Sequence, residues 1–186
     1  MSQVGQARAT LDDLYRTPEK AELIGGRIVK HMATGLTPNR VAGRIFRSLD
    51  DHSEKTGRGI ALTDNMGFAV PELPSGRESF SPDASYYSGR LPKNRMRFIK
   101  GPPKFAAEVR SESDYGDAAE IEMAEKRADY FAAGTQVVWD VDPVNEVIHV
   151  YRVSDPDHPT TFRRGQMADA EPAVQGWRVE VDWIFS

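Results

Sequence analysis

The chain has no cysteine among its 186 residues. Disulfides and thiolate-bound metal sites are therefore excluded. Long apolar runs are missing too. None approaches the roughly 18 residues that cross a bilayer. The polar stretch Met1 to Thr10 lacks the apolar core of a secretory signal. A cytoplasmic protein with no membrane partner is expected. A basic surplus is also absent. The net charge is −4, which argues against a protein that coats nucleic acid indiscriminately. There is no glycine-rich phosphate loop and no Gly-x-Ser-x-Gly elbow. Ser111 has no histidine near it in sequence. His31, His52, His149 and His158 show no paired metal-ligand spacing and read as surface or satisfied core.

One absence is local. Between Asp83 and Glu108 there is no acidic residue, yet the interval holds Arg90, Lys93, Arg95, Arg97, Lys100 and Lys104. A solvated loop and a phosphate-contacting loop account for this equally well. Arg90, Lys93, Arg95, Arg97 and Lys100 are the candidate nucleic-acid contacts. The remaining composition is ordinary for a globular protein, 39% hydrophobic and 28% charged. One α/β domain over residues 1–186 is expected, with 1–10 outside the ordered unit.

Three segments in a fixed order carry the chemistry. Ser81-Pro82-Asp83 puts an acid after a proline. Phe105-Ala106-Ala107-Glu108-Val109 reads as a buried strand ending in an acid. A helix then carries Glu122, Lys126 and Tyr130 on one face, four residues apart. Two carboxylates can hold a hard divalent cation through oxygen. The cation and a lysine together can stabilise an attacking water and the charge on a phosphoryl group. In the simplest form of such a site, the lysine lies two residues after the second acid. Here that position is Arg110, whose guanidinium holds its proton too tightly to act as a base. Lys126 is the natural replacement. Glu108 is hard to dismiss as solvated, because an unpaired carboxylate closing an apolar run is costly. A salt bridge from Glu108 to Arg110 is the structural alternative.

Hydrophobic spacing predicts a short turn at Leu11 to Leu14, a hairpin around Gly25-Gly26, and a helix from Pro38 to His52. Strands are predicted over Ile60 to Val70, Phe80 to Tyr87, Lys104 to Arg110, Val137 to Val141 and Val147 to Val153. Asp117 with Glu120 resembles a capping box that starts a helix ending at Gly134. Ile121, Ala124, Ala128, Phe131 and Ala132 form the face expected to pack on the sheet. Asp155 to Pro159 is expected to be a loop. Strand, helix and strand over 104–141 suggest a crossover unit among antiparallel neighbours, hence a mixed α/β sheet flanked by helices. Trp177, Trp183, Ile184 and Phe185, with the second semi-apolar side of the Lys126 helix, suggest a homodimer interface.

Several motifs together carry a resemblance. Glu22-Leu23-Ile24-Gly25-Gly26, Pro82-Asp83 and Glu108-Val109-Arg110-Ser111 are followed by the helix end Glu125 to Gly134. Val138-Trp139-Asp140-Val141-Asp142-Pro143 comes last. In this order they resemble the Uma-two family, restriction-endonuclease-like proteins of the PD-(D/E)xK superfamily. The likeness covers nearly the whole chain from Leu11. It implies a restriction-endonuclease-like core that hydrolyses DNA phosphodiester bonds with Mg²⁺ or Mn²⁺. Asp83, Glu108 and the Val109 carbonyl would hold the metal. Lys126 would be the catalytic lysine, Glu22 an accessory acid, and Tyr130 and Glu122 accessory groups. The alternative is a catalytically silent nuclease fold serving as a nucleic-acid-binding or regulatory module. Two residues depart from the family pattern: Asn39 replaces an expected histidine, and Asp140 replaces an apolar residue.

Overall fold

The computed structural model describes residues 7–186. Residues 7–10, expected outside the ordered unit, are tied down. The Ala9 N–H donates to the Gly26 carbonyl at 2.8 Å, and Thr10 caps the first helix in a reciprocal box with Asp13. The remainder of that stretch lies outside the described residues.

The chain opens with α1 (Leu11–Tyr15) and the hairpin β1 (Ala21–Ile24) and β2 (Arg27–Lys30). Gly25 and Gly26 turn it with φ of 58° and 70°, the left-handed pair that a two-residue hairpin turn requires. The helix α2 (Leu36–Thr56) follows, then β3 (Ile60–Thr63), β4 (Phe68–Ala69), β5 (Ser79–Phe80), β6 (Ala84–Tyr87), β7 (Ile99–Lys100) and β8 (Phe105–Val109). The helix α3 (Asp117–Ala133) leads to β9 (Val137–Asp142), β10 (Val147–Arg152) and β11 (Asp155–Phe162). The chain closes with β12 (Met167–Asp169), β13 (Arg178–Glu180) and α4 (Val181–Ile184).

The main sheet has six strands in the order β11-β10-β9-β8-β6-β3. Only β8 and β9 run parallel, joined by α3 as the crossover; the other neighbours are antiparallel. Because side chains alternate along a strand, β8 is sorted between two layers. Phe105, Ala107 and Val109 join Val41, Ile45 and Leu49 of α2 in one core, with Trp139 and Trp177. Ala106 faces the other way, toward Tyr130, Val138, Phe80 and Phe68. The same alternation sends Glu108 and Arg110 toward α3.

Several expectations are corrected. The strand expected over Phe80 to Tyr87 is interrupted at Ser81-Pro82-Asp83, and its halves belong to different sheets. Pro82 has no N–H for a ladder, and the break leaves Asp83 at the entry to β6. The helix α3 starts from Gly116 with no side-chain cap, so the expected capping box does not form; Glu120 engages Arg110 instead. The alanine-rich face of α3 does not pack on the sheet. Ile121, Ala124, Ala128 and Ala132 are exposed, while Asp129 and Tyr130 are buried. The sheet below α3 presents carboxylates, and the cationic and phenolic face of the helix answers them. Asp155 to Pro159 is not a loop but the start of β11. It is an edge strand, where missing proline donors are tolerated. Finally, Trp177 and Ile184 are buried, with Trp183 and Phe185 packed against the same core. The apolar C-terminal surface that suggested a homodimer is consumed within this chain.

Candidate active site

Four elements bring the site together. Glu22 comes from β1, Asp83 from the break before β6, Glu108 from the end of β8, and Lys126 and Tyr130 from α3. The Lys126 Nζ donates to Glu108 at 3.0 Å and lies 3.3 Å from Glu22 Oε1. The Tyr130 hydroxyl donates to Glu108 Oε1 at 2.6 Å. Its ring stacks on Phe80 with centroids 4.1 Å apart, which fixes the phenol's direction. Asp83 Oδ2 accepts from the Val109 N–H at 2.8 Å, so the first acid is latched to the strand that carries the second. The i, i+4 spacing on α3 is what lets Lys126 and Tyr130 share one carboxylate.

The acids differ in setting. Glu22 is 1% exposed and fully partnered. It accepts from the Arg77 Nη1 at 2.5 Å and from the Ser81 N–H at 2.8 Å. Its burial would raise its carboxyl pKa, but Lys126, His31 and Arg77 hold it well below the usual range. The side chains of Asp83 and Glu108 keep 22% and 21% of their surface in contact with solvent. Glu108 moves the other way from Glu22. Its partial burial, together with the charges of Asp83 and Glu22, raises its pKa despite Lys126. Burial alone would push the Lys126 ammonium down; Glu108 and Glu22 outweigh it and the pKa is raised. Lys126 is therefore a persistent cation. Burial likewise raises the Tyr130 phenol, reinforced by Glu108 and Glu22, so it remains a donor.

Other expected residues lie elsewhere. Glu122 is exposed, one turn beyond Lys126. Arg90 and Lys100 sit at the far end of β6, where their carbonyls accept from the Tyr87 hydroxyl at 3.1 and 3.4 Å. Tyr87 is about 13 Å along the strand from Asp83. Arg97 lies over the Tyr15 ring, 4.3 Å from its centroid. Lys93 and Arg95 are exposed, and no contact joins any of these five to the acids among the described residues. Arg110, standing where the simplest motif has its lysine, is not paired with Glu108. It grips buried Asp140 through two bonds of 2.8 Å. Arg110, in the place of the simplest motif's lysine, thus accounts for the departure at Asp140: a guanidinium beside Glu108 and a carboxylate opposite Glu108 in register on β9 neutralise one another.

Reading the sequence missed Lys20, Asp64, Arg77, Asp129 and His31. Arg77 bridges Glu22 and Asp129, the latter at 2.8 Å, and lies over the Phe80 ring. The Nε2 of His31 is 3.4 Å from Glu22. Lys20 reaches Asp83 at 3.1 Å. All but Asp129 lie in loops or at strand ends, where no periodicity marks them. Asp129 is on α3, and its only signal was its place three residues after Lys126.

Among the described residues no group of three or more His, Cys, Asp or Glu side chains is gathered as a metal centre. The donor chemistry of Asp83 and Glu108 still fits a hard divalent cation: both offer only carboxylate oxygens, both reach solvent, and each already holds an ammonium.

A mixed sheet whose parallel pair presents an acid to a lysine on the crossover helix defines the class: a restriction-endonuclease-like fold. Residues 8–182 match the model of the Uma2 family, described as "Putative restriction endonuclease", and the chain belongs to that family. The fold is similar to that of a crystal structure described as "a putative nuclease belonging to DUF820" from Anabaena variabilis. The TM-score is 0.73, with 18% identity over 95% of this chain and 97% of that one. At that identity the likeness bears on the fold alone. No curated protein matches this chain. The family's description supports a nuclease function. No helix among the described residues is long and apolar enough to cross a membrane.

Proposed function

We propose that this protein hydrolyses DNA phosphodiester bonds with Mg²⁺ or Mn²⁺ as cofactor. One observation carries the reading. The crossover helix sets the Lys126 ammonium 3.0 Å from Glu108 and 3.3 Å from Glu22, and Asp83 is latched to the Glu108 strand through the Val109 N–H. Asp83, Glu108 and the Val109 carbonyl would hold the cation, which when bound supplies Lewis-acid polarisation of the phosphate. Lys126, held as an ammonium, orients the attacking water and offsets negative charge growing on the phosphoryl oxygens. Tyr130 fixes the rotamer of Glu108. Glu22 is too enclosed by Arg77 and the Ser81 amide to face the substrate, and its accessory role is to hold Lys126. In the reaction one water oxygen bonds to phosphorus as the bond from phosphorus to the leaving sugar oxygen breaks. One water proton ends on that oxygen and the other leaves the new phosphate terminus. Cutting both strands calls for two sites, so a homodimer is the proposed acting species. A solution mass of only 20.7 kDa under cleavage conditions would exclude it.

A second reading, a silent nuclease fold that binds nucleic acid, is favoured by one fact: lysines already neutralise Asp83 and Glu108. Incubation with supercoiled plasmid separates the two. Nicked or linear product is expected with Mn²⁺ or Mg²⁺ and not with EDTA. It should disappear in Asp83→Ala and in Lys126→Ala. Cleavage that survives either substitution, or folded protein that binds plasmid and never cuts it, contradicts the catalytic reading.

A further inference from the structure

The hairpin β1–β2 opens at Lys20 and His31, whose backbones are joined by the His31 N–H to the Lys20 carbonyl at 2.9 Å. This open end delivers a second lysine to the acids. The Lys20 Nζ is 3.1 Å from Asp83 Oδ1 and 2.5 Å from Asp64 Oδ1. Asp64 is itself fixed by the Asn65 N–H at 2.7 Å, in a turn where Asn65 adopts φ of 68°.

The two lysines are held differently. Lys126 is wedged against Glu22, which is 1% exposed. Lys20 is held by Asp64, 46% exposed, and by the rim carboxylate of Asp83. An ammonium has three donors. Two of those of Lys20 are used, and the third has no partner among the described residues. A pair with an exposed carboxylate is worth only about 0–1 kcal/mol, so Lys20 can exchange Asp64 for a stronger anion at little cost. Asp83 and Glu108 are joined through the Val109 amide, with one ammonium on each. A phosphate drawn to a cation held by the two acids therefore meets Lys126 at Glu108 and Lys20 at Asp83.

We propose that Lys20 is a phosphate-contacting residue of the active site. It binds a non-bridging phosphate oxygen of the nucleic acid opposite Lys126, and Asp64 holds it forward until substrate arrives. This deepens the nuclease reading and rests on it.

The test is the salt dependence of binding for the full chain and a short fluorescein-labelled DNA duplex, with Ca²⁺ in place of Mg²⁺ so that the acids carry a hard cation. Loss of one phosphate contact lowers the slope of log affinity against log salt by about 0.9. Lys20→Ala and Lys20→Gln should show that decrease. Lys20→Arg should keep the wild-type slope, and so should Asp64→Ala, which frees the lysine without removing it. A Lys20→Ala protein that melts lower yet keeps the wild-type slope assigns Lys20 a structural role and overturns the proposal. So does a decrease in slope for Asp64→Ala equal to that for Lys20→Ala. If the wild type shows no salt-dependent binding to DNA, the nuclease reading falls, and this inference with it. Wild-type binding with an unaltered Lys20→Ala slope removes this inference alone.

Discussion

Glu108 and Arg110 stand two residues apart on one strand face, under one helix, and end up in opposite kinds of charge cluster. Around Arg110 the charges close on themselves. Asp140 is 1% exposed and takes two guanidinium bonds, Arg127 adds a third at 3.4 Å, and Glu120 covers the outside. Its partners outweigh burial and raise the Arg110 pKa. Around Glu108 the charges are left adjustable. Two rim carboxylates share an edge, and each is reached by solvent and holds an ammonium that a phosphate could share. A closed cluster holds two strands and a helix in place; an open one can trade partners. The same helix supplies both, which fixes Lys126 against Glu108 while leaving the acids accessible.

The largest expected effect is on rate. Lys126→Ala should lower cleavage by about 10²- to 10³-fold, the range for losing one preorganised donor to transition-state charge, with the fold intact by circular dichroism. Arg110→Ala should do the reverse. It leaves buried Asp140 with only the long Arg127 contact and should cost up to about 3–5 kcal/mol of stability in urea titration, while the surviving folded fraction still cuts. The double change Arg110→Met with Asp140→Leu should restore most of that loss, because it removes both charges together. If Arg110→Ala instead abolishes cutting at unchanged stability, the closed cluster belongs to the chemistry.

The two acids that hold Lys126 should titrate with opposite sign in metal-free protein. The pKa of Glu22 is held below its ordinary value of 4.5. Its contribution is present above that value and lost as pH falls through the folded pKa. That of Glu108 is raised above 4.5. Its contribution is present below that value and lost as pH rises through the folded pKa. Melting temperature against pH should therefore lose part of its acid limb in Glu22→Gln and part of its decline above pH 4.5 in Glu108→Gln. The smallest effect should come from Glu122→Ala. That exposed residue should change stability by less than about 0.5 kcal/mol and leave cleavage unaltered.

Much of the open cluster was legible in the sequence, because strand and helix periodicities place Glu108, Lys126 and Tyr130 without any tertiary knowledge. Asp83 was legible through the proline before it, although the strand break that Pro82 makes was not. The face of α3 was misread for a physical reason. Alanines score as apolar yet bury little surface, and a sheet presenting Glu108 and Asp140 is better covered by Lys126 and Arg127 than by Ala124 and Ala128. Lys20, Asp64 and Arg77 were invisible because each reaches the site from a loop, and only the assembled sheet gives loop residues a common destination. The basic run from Arg90 to Lys100 was conspicuous in one dimension; in three, Arg90 and Lys100 stand at the Tyr87 end of β6, away from Asp83.

Thermal melting with Mn²⁺ shows directly whether the open cluster takes a divalent cation. At 100-fold excess over its dissociation constant, a ligand that binds only the folded state adds about 2.7 kcal/mol, or about 5–10 °C for a domain of this size. The wild type should shift by that amount. Asp83→Ala and Glu108→Gln should not shift, and Asp140→Asn should shift like the wild type from its own lower starting point. A wild type indifferent to Mn²⁺, or an Asp83→Ala protein that shifts equally, would contradict the assignment.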